Sequence, residues 1–152
     1  MLKFYYSLAP NPMKVALFLE ESGLPYEPIP VDTRKGEQHA PAFTAINPNG
    51  KVPAIVDGSS TVFDSSAILL YLGEKSGQFL STPETRGEML SWLMFTASGI
   101  GPFTGQCVHF KRYVPETIPS VTATRCSTWP YGAGRVWCPT RLAMTRGNNC
   151  RT

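Results

Sequence analysis

The sequence predicts an α/β domain of order β-α-β-α-β-β-α, followed by the start of an all-α domain. Three observations carry this. Short aromatic or β-branched runs alternate with helical periodicity up to about residue 76, and a β-α-β opening argues for a parallel strand pair. The last two strands are separated by little more than Asp57-Gly58, which makes an antiparallel hairpin. From about residue 84 to 119 the remaining pattern is helical.

Leu2 to Tyr6 reads as a short buried strand rich in aromatics. A loop with two prolines follows, and Pro12 stands where a helix would start, since proline is tolerated in the first turn. Val15, Phe18, Leu19 and Ser22 mark one helical face, and Gly23 ends the helix. Tyr26 to Val31 is the second strand, and Asp32 to Gln38 a polar loop. A short helix is expected from Pro41 to Ile46, stopped by Asn47-Pro48-Asn49-Gly50. Val52 to Val56 is a strand entered through Pro53, and Thr61 to Phe63 returns beside it. Asp64-Ser65-Ser66 caps a helix in which Ile68, Tyr71, Leu72 and Lys75 share a face. A linker spans 78–83. A second long helix runs from about Glu84 through Met89, Trp92, Leu93 and Phe95 towards Gly99, with apolar residues on more than one face. Gly99, Gly101 and Pro102 interrupt it, and another helical piece is expected from Phe103 to Tyr113.

Composition narrows the function classes. The formal charge of +3 belongs to the tail: the chain up to Glu116 holds nine basic and eleven acidic residues, net −2, and the last five arginines have no acid among them. That is no basic patch on a folded surface, so nucleic-acid binding is not expected. No apolar run is long enough to cross a membrane, and the N-terminus lacks the design of a signal peptide, so the expected location is cytoplasmic. The four cysteines are Cys107, Cys126, Cys138 and Cys150; their spacing matches no metal-binding pattern, and no metal is expected. The first hundred residues hold no cysteine, so no thiol of that region serves as a nucleophile.

Three stretches carry a resemblance. They are Tyr5-Tyr6-Ser7-Leu8-Ala9-Pro10-Asn11-Pro12, then Ile46-Asn47-Pro48-Asn49-Gly50-Lys51-Val52-Pro53-Ala54-Ile55, and Phe63-Asp64-Ser65-Ser66-Ala67-Ile68-Leu69-Leu70-Tyr71-Leu72. The run from Trp92 through Gly101-Pro102-Phe103 and His109-Phe110 to Glu116 adds to it. Together they resemble soluble glutathione S-transferases, in particular the bacterial Nu-class enzymes and related disulfide-bond reductases. The resemblance covers about 119 residues. It implies a thioredoxin-like domain over 1–77, a linker over 78–83 and an incomplete helical C-terminal domain over 84–119. It also implies glutathione as co-substrate, a small electrophile or disulfide as the other substrate, and a homodimer in the intact family.

The same resemblance implies residue roles. The Val52–Pro53 bond is expected to be cis, with Val52 offering its N–H and C=O to the cysteinyl backbone by strand addition. Asp64 and Ser65 are expected at the γ-glutamyl end: the helix start and Ser65 hydroxyl take the carboxylate, and Asp64 takes the ammonium. Relatives mostly carry Glu at the Asp64 position, and simple helix capping accounts for both residues as well. Asn11 is the expected donor to the sulfur, favouring thiolate over thiol, or else a turn residue bonding its own backbone. A threonine expected two residues earlier is Ala9 here; Ser7 can compensate, as can Tyr5 or Tyr6, although strand alternation sends the two tyrosines to opposite faces. Gln38 and Lys51 are expected near the glycyl end, with Lys51 equally readable as a solvated loop lysine. Gln106 and His109 are candidates for the border of the electrophile pocket.

Residues 120–152 lose all periodicity and are rich in Arg, Cys, Trp, Pro and Gly. The expectation is an out-of-frame translation, the alternative being a divergent or disordered extension. The expected function is a glutathione transferase or glutathione-dependent disulfide reductase. The alternatives are a non-catalytic glutathione-binding or interaction module and an inactive fragment.

Overall fold

The computed structural model describes residues 1–112. The tail 120–152, with the frameshift reading attached to it, lies outside the described residues. Met1–Phe95 form one compact unit, and the described residues from Thr96 belong to a second. In the first, β1 (Leu2–Tyr6) leads to α1 (Pro10–Ser22), β2 (Tyr26–Pro30), a 3-10 turn at Glu37–His39, α2 (Pro41–Thr44), β3 (Ala54–Asp57), β4 (Ser60–Phe63), α3 (Ser65–Ser76) and α4 (Arg86–Phe95). In the second, a π-helical segment Thr96–Ile100 precedes α5 (Gly101–Arg112). The glycines and the proline expected to interrupt this stretch fall where the hydrogen-bonding pattern changes: Gly99 lies in the π-helical segment, and Gly101 and Pro102 open α5 directly after it.

The sheet order is β2-β1-β3-β4, with β1 parallel to β2 and both other pairings antiparallel. This is the thioredoxin-like arrangement the sequence predicts. One face carries the main core. Leu2 and Phe4 of β1, Val15 and Leu19 of α1, Ile55 of β3, and Ile68 and Leu72 of α3 are buried together. Val31, Phe43 and Ala54 form a smaller cluster on the α2 side, packed by Tyr5, Ile46 and Val52. The two adjacent tyrosines therefore go to opposite faces: Tyr5 meets Phe43 edge-on at 5.9 Å, and Tyr6 stacks on Phe4 at 5.4 Å. Packing is the role the structure shows for both.

α1 starts two residues earlier than the sequence suggests. Ala9 precedes it without a side-chain cap, Pro10 takes the first helical position, and Asn11 falls within the first turn. Prolines at 10 and 12 cost nothing there, because the first N–H groups of a helix have no intrahelical partner. In β2 the N–H of Val31 donates to the Tyr6 carbonyl at 2.8 Å. Strand alternation then directs the nitrogens of Pro28 and Pro30 away from β1, to the outer edge, where a missing donor breaks no ladder bond.

On α3, Tyr71 is only partly buried, packed against the cluster of Ile68 and Leu72, and Lys75 lies outside it. The Tyr71 hydroxyl donates to Asp57 Oδ2 at 2.8 Å, and Lys75 Nζ donates to the same oxygen. This ties the hairpin turn to the C-terminal half of the helix. The Lys75 ammonium, then the Tyr71 hydroxyl, hold the Asp57 carboxyl below its ordinary value against the opposing effect of burial. The linker is also seated: Phe79, at φ 58°, meets Phe18 edge-on at 5.2 Å, and Leu80 lies where a Cβ on Gly73 would come within 2.9 Å.

Leu72→Ala should destabilise the first unit by about 3 kcal/mol, a transfer loss plus a cavity, whereas the exposed Leu17→Ala should change it by no more than about 0.5 kcal/mol; chemical denaturation of both variants checks the contrast. Asp57→Asn should lower the denaturation midpoint at neutral pH. Because the folded Asp57 value is depressed, its contribution is present above the unfolded carboxylate value of about 3.9 and is lost as pH falls through the lower folded value, so the variant and parent should converge in acid.

Candidate functional site

A cleft of about 250 Å³ is lined by three segments of the first unit: the first turn of α1, the stretch from Asn47 to Pro53, and the junction of β4 with α3. Six of the residues expected from the sequence line it: Asn11, Lys51, Val52, Pro53, Asp64 and Ser65. Each is placed by ordinary local chemistry.

Asn11 is exposed in the first turn of α1, held between Pro10 and Pro12. Its amide makes no hydrogen bond among the described residues, so the geometry is not that of a turn residue bonding its own backbone. The Val52–Pro53 peptide is cis. β3 starts at Ala54, opposite Tyr5, so Val52 stands just before the ladder with its side chain packed in the smaller cluster. Lys51 is exposed at the rim, while its carbonyl is tied inward to Asn47.

Asp64 caps α3 with a positive φ, φ 70° and ψ 127°, unusual for a residue with a Cβ. Backbone departures of this kind concentrate at functional positions. Its Oδ1 accepts from the N–H groups of Ser66 at 2.8 Å and Ala67 at 3.3 Å. Capping and site placement thus coexist, but two of the helix-start donors are already engaged by the protein. Ser65, buried at 5% exposure, supplies the remaining first-turn N–H together with its hydroxyl.

Ser7 and Gln38 are not among the residues lining the cleft. Ser7 follows β1, and its Oγ is buried without a hydrogen-bond partner among the described residues. Gln38 sits in the 3-10 turn, its Nε2 3.1 Å from His39 Nε2 and its Oε1 buried without a partner. That turn is packed against Gly50, at φ 58°, where a Cβ would come within 2.9 Å of His39 Nδ1. Gln106 and His109 lie on α5, in the second unit.

Three lining residues were not singled out by the sequence: Asn47, Asn49 and Phe63. Asn47 and Asn49 read only as turn formers. Phe63 was legible in principle, because Val62 packs into the main core and alternation turns its neighbour to the opposite face. Chemically, the cleft offers amide donors and an exposed ammonium on one side, and a carboxylate beside a helix start on the other. Among the described residues no group of three His, Cys, Asp or Glu is positioned to hold a metal, and no helix is long and apolar enough to cross a membrane.

Comparison with known proteins gives the same picture. Residues 9–75 match the family model described as the glutathione S-transferase N-terminal domain. The chain is 46% identical over 127 residues to the disulfide-bond oxidoreductase YfcG of Escherichia coli K12, covering 78% of this chain and 59% of that protein. It is 39% identical to the protein URE2 of Eremothecium gossypii, covering 77% of this chain and 36% of that one. Among solved structures, a glutathione transferase from Pseudomonas putida with one glutathione disulfide bound per subunit superposes with a TM-score of 0.78 at 38% identity, over 82% of this chain and 58% of that one. The chain thus spans less than two thirds of the length of each of these relatives. The matched segment contains all three stretches that build the cleft, and over that segment the chain is a glutathione S-transferase N-terminal domain.

Proposed function

We propose that the first unit binds glutathione in this cleft and stabilises its thiolate for attack on an electrophile or a disulfide. The observation that carries the reading is the convergence of Asn11, Val52–Pro53 and Asp64–Ser65, from three separate segments, on one cleft. Val52 offers its backbone to the cysteinyl unit. Ser65 takes the γ-glutamyl carboxylate with its N–H and hydroxyl, at a helix start that favours negative charge. Asp64 takes the ammonium with Oδ2, the oxygen not used in capping. Lys51 draws the glycyl carboxylate, and Gln38 stands behind it.

Asn11 donates its amide to the sulfur. A donor there stabilises the thiolate and lets the thiol proton leave to solvent near neutral pH. Ser7 supports this from the end of β1, its Oγ having no other partner among the described residues. The held thiolate then forms a C–S bond with an electrophile and displaces its leaving group, or attacks one sulfur of a disulfide and releases the other as thiolate. Positioning and lowered thiol pKa supply the rate, with no covalent protein intermediate. Of the two substrates, the disulfide is favoured by the identity to a disulfide-bond oxidoreductase and the likeness to a transferase holding glutathione disulfide.

Calorimetry with reduced glutathione tests binding in the full chain. Ser65→Ala should weaken affinity about tenfold, the loss of a charge-assisted hydrogen bond. Asn11→Ala should leave affinity closer to the parent value and raise the pKa of the bound thiol by about one unit, read from thiolate absorbance against pH. No heat of binding at millimolar glutathione would sink the reading, and an unchanged bound-thiol pKa in Asn11→Ala would remove Asn11 from its role.

A further inference from the structure

Asn47 is a buried polar residue to which the reading above gives no task. It is 2% exposed although it borders the cleft, and all its polar groups are engaged. Its N–H donates to the Phe43 carbonyl at 2.9 Å, and its carbonyl accepts from the Gly50 N–H at 2.9 Å. Its Oδ1 accepts from the Asn49 N–H at 3.0 Å, and its Nδ2 donates to the Lys51 carbonyl at 2.6 Å. The first three bonds close α2 and shape the turn. The fourth does neither: it reaches past the turn to the peptide that leads into Val52–Pro53.

The Lys51 carbonyl and the Val52 N–H are the two ends of one peptide unit. That unit is trans, the cis bond being the next one along. A peptide is planar, so clamping its oxygen fixes the plane, and the N–H points away from the clamp. A donor on the carbonyl also polarises the unit and strengthens its N–H as a donor, as in hydrogen-bonded chains. Gly50, the residue before this peptide, lies against the 3-10 turn, where a Cβ would come within 2.9 Å of His39 Nδ1.

We infer that Asn47 is a positioning residue for glutathione, acting through the Lys51–Val52 peptide to set the direction and donor strength of the Val52 N–H that meets the cysteinyl carbonyl. This rests on the reading that glutathione lies along Val52. A purely structural asparagine at the end of α2 would matter to folding and leave the Val52 donor untouched.

The test uses the isotope-labelled full chain, titrated with reduced glutathione by NMR and calorimetry, with Asn47→Ala and Asn47→Asp beside the parent. Aspartate keeps the acceptor for Asn49 and, when ionised, cannot donate to Lys51. Both variants should bind about tenfold more weakly, with the ligand-free Val52 amide proton shifted and the bound-thiol pKa equal to that of the parent. In the parent, glutathione should move the Val52 N–H and the Asn47 side-chain amide resonances together. Affinity within twofold of the parent in a folded variant, or an unmoved Val52 proton, would overturn the assignment. So would a ligand-induced shift at Val52 with none at the Asn47 amide, a readout that stands even if both variants fail to fold. If the parent itself does not bind glutathione, the site reading and this inference fall together; if it binds and only the Asn47 outcomes fail, the site reading survives alone.

Discussion

Ile68 and Leu72 lie one turn apart on α3 and are fully buried against the sheet, in the same cluster as Phe4 and Ile55. Their burial fixes where the helix lies, and hence where it begins. Ser65 is one turn before Ile68, so the helix start comes out beside the Val52–Pro53 junction that leads into the strand carrying Ile55. A few ångströms of slippage along this contact would part the two halves of the cleft. Asp57, bonded by Tyr71 and Lys75, opposes such slippage from the far end of β3. The core therefore sets the spacing between a carboxylate-binding helix end and a backbone edge, and the side chains of the cleft only refine it.

Most of this was legible because the signals are local. The strands and helices of the first unit follow from periodicity, and Asp64-Ser65 announces a helix start by composition alone. Differences arose where local signals compete. Two prolines flank Asn11, and either can open a helix; the structure uses the first, which puts Asn11 on a rigid turn instead of a loop. Tyr71 and Lys75 share a helical stripe with Ile68 and Leu72, yet only the ring of Tyr71 packs against that cluster, and its hydroxyl and the Lys75 ammonium turn to Asp57.

Asn47 shows what a sequence hides. Asn-Pro-Asn-Gly is a turn by any reading, and the turn explanation absorbs the residue completely. Only coordinates reveal that its side-chain nitrogen crosses to Lys51. Ser7 and Gln38 are the reverse case: the family resemblance marks them, while neither lines the cleft and each keeps a buried oxygen without a hydrogen-bond partner among the described residues. Asp64 carries a dual load that neither reading of the sequence separates. One carboxylate oxygen completes the helix, and the other remains for a ligand, so a change at this position alters capping and recognition at once.

The prolines of β2 have an effect on how copies of this unit can meet. With Pro28 and Pro30 turning their nitrogens outward, that rim of the sheet offers almost no donors for an incoming strand. The opposite rim, β4, carries Ser60 and Thr61 and no proline. A sheet with one blank rim can be extended from one side only. Two such units can share their open rims, but a third finds nothing to add to, so edge-to-edge growth ends at a pair and does not run on into a fibre.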